Sequence, residues 1–210
     1  MHDSISFLPL SRTDLPLLHR WLLMPHVVAW WHETLDLAGV EAKYGPRIDG
    51  IEPTHVFMIE FLKRPVGLIQ WYCWSDYAEH AQQLGAGQEA AGIDLAIGEP
   101  EMTGRGLGPA AIRKFLGEVV FTNPAIQAVI TDVDENNLRS LGAFRKVGFT
   151  VLKTTKLRGE SFYRSVVQLR RPNGPTTPFC IPFLAPHRVG SYTGDEGSCL
   201  YVSSYSVRRQ

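Results

Sequence analysis

Two parts of the sequence have residue types and spacing that can do chemistry. The first is Gly104-Arg105-Gly106-Leu107-Gly108, set between a strand-like apolar run and an amphipathic one. Glycines let successive backbone N–H groups turn into one concavity, and a helix opening behind them adds partial positive charge, so a diphosphate can be gripped mainly by main chain. No Gly-Lys-Ser/Thr follows, which argues against a Walker loop. The motif also lies midway along the chain behind an antiparallel-looking hairpin, whereas a dinucleotide fingerprint opens a parallel βαβ unit. The second is Asp94, which follows Gly92-Ile93 inside an apolar strand-like segment. An acid there costs free energy unless it has a polar or cationic partner, which marks it as a functional carboxylate.

Other acids surround it. From Pro65 through Gly104 there is no Lys or Arg, yet Asp76, Glu79, Glu89, Asp94, Glu99 and Glu101 all occur, in a chain whose 21 Lys+Arg balance 21 Asp+Glu overall. A polycation would be drawn to such a window, although each acid other than Asp94 also reads as a solvated loop charge. Asp132 ends the apolar run Ala125 to Thr131, a place that also suits a cap or turn residue, as Asp134 and Asn136 do. Trp30, Trp31, Tyr44, Trp71, Tyr72 and Trp74 serve either as core or as walls of a binding site, since aromatics pair an apolar face with an occasional donor. Trp30, Trp31 and Tyr72 are taken as substrate-lining. His26, His32, His55 and His80 lack ligand spacing, and no metal is assigned.

The elements that must position these residues follow from periodicity. Phe7-Leu8-Pro9-Leu10 reads as a short strand, and Ser11 with Asp14 opens a helix carrying Leu15, Leu18, Trp21 and Leu22. Pro25 breaks it before Val27 to Trp31, and Leu37 to Ile48 is a second helix. Val56 to Phe61 and Val66 to Tyr72 form an antiparallel hairpin across Leu62-Lys63-Arg64-Pro65. Ser75 to Ala90 reads as a polar functional loop, and Ala91 to Ile97 as a strand. Ala110, Ile112, Phe115, Leu116, Val119 and Val120 suit a helix after Gly108, followed by a strand over Ala125 to Val133. A third helix starts near Asn136 or Asn137 and ends at Gly148, and Phe149 to Leu157 with Ser161 to Leu169 read as a terminal hairpin.

At 210 residues the chain suits one domain with a sizeable core, and its charge balance gives no sign of a nucleic-acid partner. Cys73, Cys180 and Cys199 are an odd, widely spaced set without a CxxC pair, which fits a reducing cytoplasm. No long apolar stretch predicts a membrane span. The domain is expected over 1–171. From Pro172 the texture changes to five prolines with many Ser and Gly in 39 positions. Residues 172–210 read as a flexible extension, or as a segment docking on a partner subunit, which leaves a homodimer open.

With these residues in hand, the sequence resembles the GNAT acyltransferase superfamily. Gly106 and Gly108 match its Q/R-x-x-G-x-G/A acetyl-CoA loop, with Thr103 where Gln or Arg is usual. Asn137-Leu138-Arg139-Ser140 through Phe144-Arg145-Lys146-Val147-Gly148-Phe149 is similar to its N-x-x-A…Y-x-x-x-G-F helix. Within the superfamily, residues 5 to 170 most resemble the aminoglycoside 6′-N-acetyltransferases, through Asp14-Leu15…Trp21-Leu22, Trp30-Trp31, Pro65-Val66-Gly67, Gln70, Tyr72, Gly92-Ile93-Asp94, the glycine loop and Thr131-Asp132. The resemblance implies an α+β fold with a mixed central sheet flanked by helices, and acetyl-CoA as cosubstrate held by Leu95, Ala96, Ile97, Thr103 to Gly108 and Asn137. It also implies a polycationic aminoglycoside acceptor, Asp94 as general base and Asp132 as the acid that holds a substrate ammonium. Phe144 stands where a thiolate-protonating tyrosine is common. Another amine acceptor, such as a siderophore hydroxylamine, polyamine or protein N-terminus, or a non-catalytic acetyl-CoA-binding module, remains an alternative.

Overall fold

The structure is a computed structural model that describes residues 4–31, 33 and 35–172. The proposed tail, beyond Pro172, lies outside the described residues. Strand β1 (Ile5–Pro9) ends where the Asp14 carboxylate accepts hydrogen bonds from the Ser11 amide at 3.0 Å and the Ser11 hydroxyl at 2.6 Å. Helix α1 (Leu15–Leu22) follows and buries Leu15, Leu18, Trp21 and Leu22, the three-and-four spacing of an amphipathic face. Pro25 opens α2 (Pro25–Trp31), since the first helical position needs no amide partner. Helix α3 (Leu37–Ile48) is N-capped by Asp36, which accepts from the Gly39 amide at 2.8 Å.

Strands β2 (Thr54–Phe61) and β3 (Arg64–Cys73) turn through Leu62 and Lys63, both at positive φ (52° and 61°), as a two-residue hairpin requires. The turn is two residues shorter than the sequence boundaries imply. The expected loop at 75–90 is corrected more substantially. After a 3-10 turn at Trp74–Asp76 it forms α4 (Ala78–Leu84), which buries His80, Ala81 and Leu84 and ends at Gly85 with φ 74°. Its polar surface residues hide a one-sided apolar face.

The chain continues through β4 (Ala90–Ile97), α5 (Leu107–Glu118), β5 (Ala128–Asp134), α6 (Leu138–Val147), β6 (Thr150–Thr155) and β7 (Arg164–Arg170). The strands form one mixed sheet in the order β1-β2-β3-β4-β5-β7-β6, in which only β4 and β5 are parallel neighbours. Period-two alternation sends Ile69 and Ile93 into a core with Ala111, Ile112 and Phe115 of α5 and Phe144 of α6. Leu68, next to Ile69, joins Trp21, Tyr44 and Met58 in the core of the opposite face. A third cluster seats Trp74 and Leu84 against Ile130 and Val166. The result is an α+β sheet covered by helices on both faces.

Candidate active site

The parallel pairing of β4 with β5 is confined to Ala90 with Ala128 and Ala91 with Val129, and beyond these the strands part. Across the opening, the Thr131 hydroxyl donates to the Ile93 carbonyl at 2.9 Å. Because alternate residues of a strand turn their backbone groups to the same edge, the Leu95 amide and carbonyl face this gap, where β5 no longer runs. Ile97 shares that parity, and its carbonyl lies 2.9 Å from His26 Nε2. Around the gap is an open cleft lined by Trp30, Trp31, Asp94, Asp132, Asn137 and Phe144, among others.

Asp94 stands directly opposite Gln70 in the β3–β4 register, so both side chains project from one face. Gln70 Nε2 donates to Asp94 Oδ2 at 2.9 Å, while Gln70 Oε1 accepts from Arg47 Nη1 at 3.1 Å. Arg47 in turn donates through Nε to Glu52 at 2.9 Å, and its guanidinium lies over the Tyr44 ring. The carbonyl end of Gln70 is thus pinned by a cation, and only its amide can face residue 94. Burial pushes the Asp94 carboxyl above its ordinary proton affinity, against the hydrogen bond from Gln70, and the charge of Asp132 pushes the same way as burial. A polar Gln in the apolar run Val66 to Tyr72 is the sequence signal for this partner; nothing local in the sequence points to Arg47.

Asp132 lies in the cleft lining with its side chain 7% exposed, and its oxygens meet partners from this chain. Arg164 Nη1 is 3.0 Å from Oδ2, and His80 Nε2 is 3.4 Å from Oδ1. The Arg164 contact is one of charge without hydrogen-bond alignment, since Oδ2 has no aligned donor. Burial works against ionisation of Asp132, yet His80 and Arg164 together hold its carboxyl below the usual value. The two acids are therefore driven apart, one toward proton uptake and one toward permanent charge. Sequence reasoning treats Asp132 as an acid available to a substrate; the structure brings a guanidinium to it from β7.

In the glycine turn, Gly104 and Gly106 adopt φ of 74° and 81°, which L side chains rarely enter, and a Cβ at Gly104, Gly106 or Gly108 would meet open space. Gly106 caps α5, whose first-turn amides have no acceptor within the helix, and Pro109 has no amide to satisfy. Thr103 is tied down through its hydroxyl to the Pro100 carbonyl at 2.8 Å. Arg105 is exposed, whereas the Leu107 side chain is buried in the core. The turn follows the carboxyl end of β4, the end at which the parallel pair opens. Ala96 pairs with Leu68 on β3.

Asn137 caps α6 by accepting from the Ser140 amide at 3.0 Å, and Asn137, Ser140 and Phe144 all line the cleft. Phe144 packs edge-on against Phe149. Tyr72 shares the face of Asp94, but its ring packs on Gly92, Trp74 and Tyr77, and it is not among the lining residues. Of the six acids between Pro65 and Gly104, only Asp94 lines the cleft. Glu99 is engaged by Arg20 and by the Trp21 indole at 3.0 Å, Glu101 pairs with Arg64 at 3.0 Å, and Asp76, Glu79 and Glu89 are exposed. The acidic window in the sequence is therefore not an acidic wall in the cleft.

Comparison with known proteins bears on this arrangement. The acetyltransferase (GNAT) domain family matches residues 11–157. The aminoglycoside N(6′)-acetyltransferase type 1 of Klebsiella pneumoniae is 26% identical over 151 residues, covering 70% of this chain and 75% of that protein. A kanamycin resistance protein of Rhizobium radiobacter is 33% identical over 58 residues, 28% of this chain and 53% of that one. Among solved structures, the aminoglycoside acetyltransferase AAC(6′)-Ib in complex with coenzyme A and kanamycin superposes with a TM-score of 0.68 at 25% identity, covering 80% of this chain and 95% of the other. A spermidine N-acetyltransferase from Vibrio cholerae shares the fold, with a TM-score of 0.62 at 16% identity over 80% of this chain and 96% of its own. Since the matched span takes in the parted strands, the glycine turn and both helices behind them, the chain belongs to the GNAT acetyltransferase family.

Proposed function

We propose that the protein transfers the acetyl group of acetyl-CoA to the 6′-amine of an aminoglycoside by direct attack in a ternary complex. The observation that carries this reading is Asp94, a carboxylate of raised proton affinity facing the cleft beside the open edge of β4. The relatives named for aminoglycoside 6′-acetylation support the acceptor class. The product amide has one cation fewer with which to bind RNA phosphates, so resistance is the expected consequence. The same reading places the enzyme in the cytoplasm; no helix among the described residues is long and apolar enough to cross a membrane.

Each part of the reaction has a residue to perform it. The amides of Gly104 to Gly108, at the start of α5, hold the diphosphate. The edge at Leu95, flanked by Ala96, Ile97 and Asn137, takes the amide groups of the cosubstrate's arm as a sheet takes an added strand, and the Leu95 N–H polarises the thioester carbonyl. Trp30 and Trp31 wall the acceptor. Asp94 removes a proton from the attacking amine, directly or through one water. Phe144 cannot protonate the departing thiolate. The Ser140 hydroxyl or water meets it instead, and thiol acidity near that of free cysteine makes departure without a strong acid workable.

Acetyl-CoA, a panel of aminoglycosides and the purified protein, analysed by mass, test the whole reading. A mass increase of one acetyl group on compounds carrying a 6′-amine is expected, and no acetylated product from any of them would overturn it. The cofactor half has its own check. Gly106→Ala places a side chain at φ 81° with no steric clash around it, so the loss is conformational. Calorimetry should show the Kd for CoA rising about tenfold, the equivalent of a left-handed residue made to carry a Cβ.

A further inference from the structure

The cleft lining contains three carboxylates, Asp94, Asp132 and Asp134, and one guanidinium, that of Arg164. Arg164 is 3% exposed and is held between acids from two separate segments. Its Nη1 lies 3.0 Å from Asp132 Oδ2 on β5, and its Nε and Nη2 donate to Glu160 at 2.8 and 3.0 Å in the connection before β7. The Phe162 ring lies 4.9 Å beneath it. A bidentate pair of this kind fixes the guanidinium plane, so the charge cannot swing aside when a substrate arrives.

An ammonium approaching Asp132 therefore meets a carboxylate that is already compensated, with a cation directly behind it. Oδ2, the oxygen nearest Arg164, is itself buried, so that side of the carboxylate offers an incoming ammonium no surface. Asp134 remains: its Oδ1 accepts from the Asn136 backbone and side-chain amides at 2.9 and 3.1 Å, and although Arg164 stands opposite it in the β5–β7 register, the guanidinium is drawn to Asp132 and Glu160 and makes no salt bridge to it among the described residues. One carboxylate is thus left for one additional positive charge. We propose that Arg164 is the specificity-determining residue of the acceptor half, and that by occupying Asp132 and Glu160 it selects amines of low charge over polyamines and heavily aminated aminoglycosides. This rests on the acetyl-transfer reading of the same cleft and narrows its acceptor class.

The test uses full-length protein saturated with CoA, with calorimetric Kd values for tobramycin, spermidine and 6-amino-6-deoxyglucose, and KM values for the same compounds in turnover. Arg164→Met uncovers both acids. The Kd of tobramycin and spermidine should fall about tenfold with a steeper salt dependence, while that of the singly charged sugar stays within about twofold. Arg164→Lys, which keeps the charge, should retain the wild-type ranking. The double variant Arg164→Met with Asp132→Asn removes one cation and one anion together, so the cleft keeps its wild-type net charge while Glu160 loses its partner. Its Kd values should stay within about twofold of wild type for all three compounds. Unchanged ranking in Arg164→Met, or a tenfold weaker tobramycin affinity in the double variant, would overturn the proposal, the second because it would make Asp132 the receptor. Failure of acetyl transfer with the predicted shift in Kd ranking would remove the reaction and leave the charge selectivity standing; transfer with no shift would do the reverse.

Discussion

Asp94→Asn should lower kcat/KM by about 10²- to 10⁴-fold, the usual contribution of a positioned general base, while the Kd for acetyl-CoA stays unchanged. The separation follows from geometry. Arg47 pins the carbonyl end of Gln70, so the amide of Gln70 still finds an acceptor in the carboxamide oxygen of the variant and the site keeps its shape. The pH profile carries a second signature. The folded state holds the Asp94 proton more tightly than the ordinary value of 3.8, so the base is lost, and kcat/KM with it, as pH falls through the raised value. For stability the sign is opposite to that of a salt-bridged acid. The contribution of this group is fully present below 3.8 and is lost as pH rises through the folded value, so at neutral pH the buried anion destabilises the fold. The variant should accordingly melt higher than wild type at pH 7 and lose that advantage in acid. A variant that retains turnover would assign the base elsewhere; one with turnover abolished and cofactor affinity intact would exclude a purely binding module.

Gly67→Ala should be the most damaging single methyl in the sheet. A Cβ there would sit 2.2 Å from the Ala96 carbonyl oxygen and 3.0 Å from Ile97 Cα. Both contacts are backbone, which has no rotamer to give. Residue 67 pairs with Ile97, so relief requires β3 and β4 to separate at the end of β4 that carries the open edge. A loss of about 3 kcal/mol, the upper part of the range for overpacking, is expected in denaturant melts, together with weakened CoA binding. Gly106→Ala carries its left-handed strain in the unliganded fold too, so its stability in the melt should fall by about 1–2 kcal/mol, less than that of Gly67→Ala. A Gly67→Ala protein with wild-type melting would mean that the two strands are not as close as described.

Much of this is legible in the sequence because it depends on local rules. The glycine turn, the helix over Leu37 to Ile48, the α6 cap at Asn137 and the helix stop at Gly148 each announce themselves within a few residues. Asp94 is legible for a related reason, since an acid in an apolar strand needs an explanation. The α4 helix escapes sequence reading because its apolar positions, Ala81 and Leu84 beneath Trp74, are too few to show a period among polar neighbours. The environment of Asp132 escapes it because that environment is assembled across the sheet. Arg164 lies 32 positions downstream and arrives only through β5–β7 pairing, and His80 arrives from a helix that the sequence presents as a loop. Charge counting along the chain likewise cannot tell that Arg20 and Arg64, outside the acidic window, fold back onto Glu99 and Glu101.

The brief contact between β4 and β5 divides the molecule along its sequence as well as in space. On the proposed reading, the side chains assigned to the acceptor amine and its base, Trp30, Trp31, Arg47, Gln70 and Asp94, precede residue 98, while the charged side chains assigned to acceptor choice, Asp132, Glu160 and Arg164, follow residue 127. Under the same reading, changes in the trailing third retune acceptor choice and also reach the base through space, because the Asp132 carboxylate is one of the charges that raise the proton affinity of Asp94.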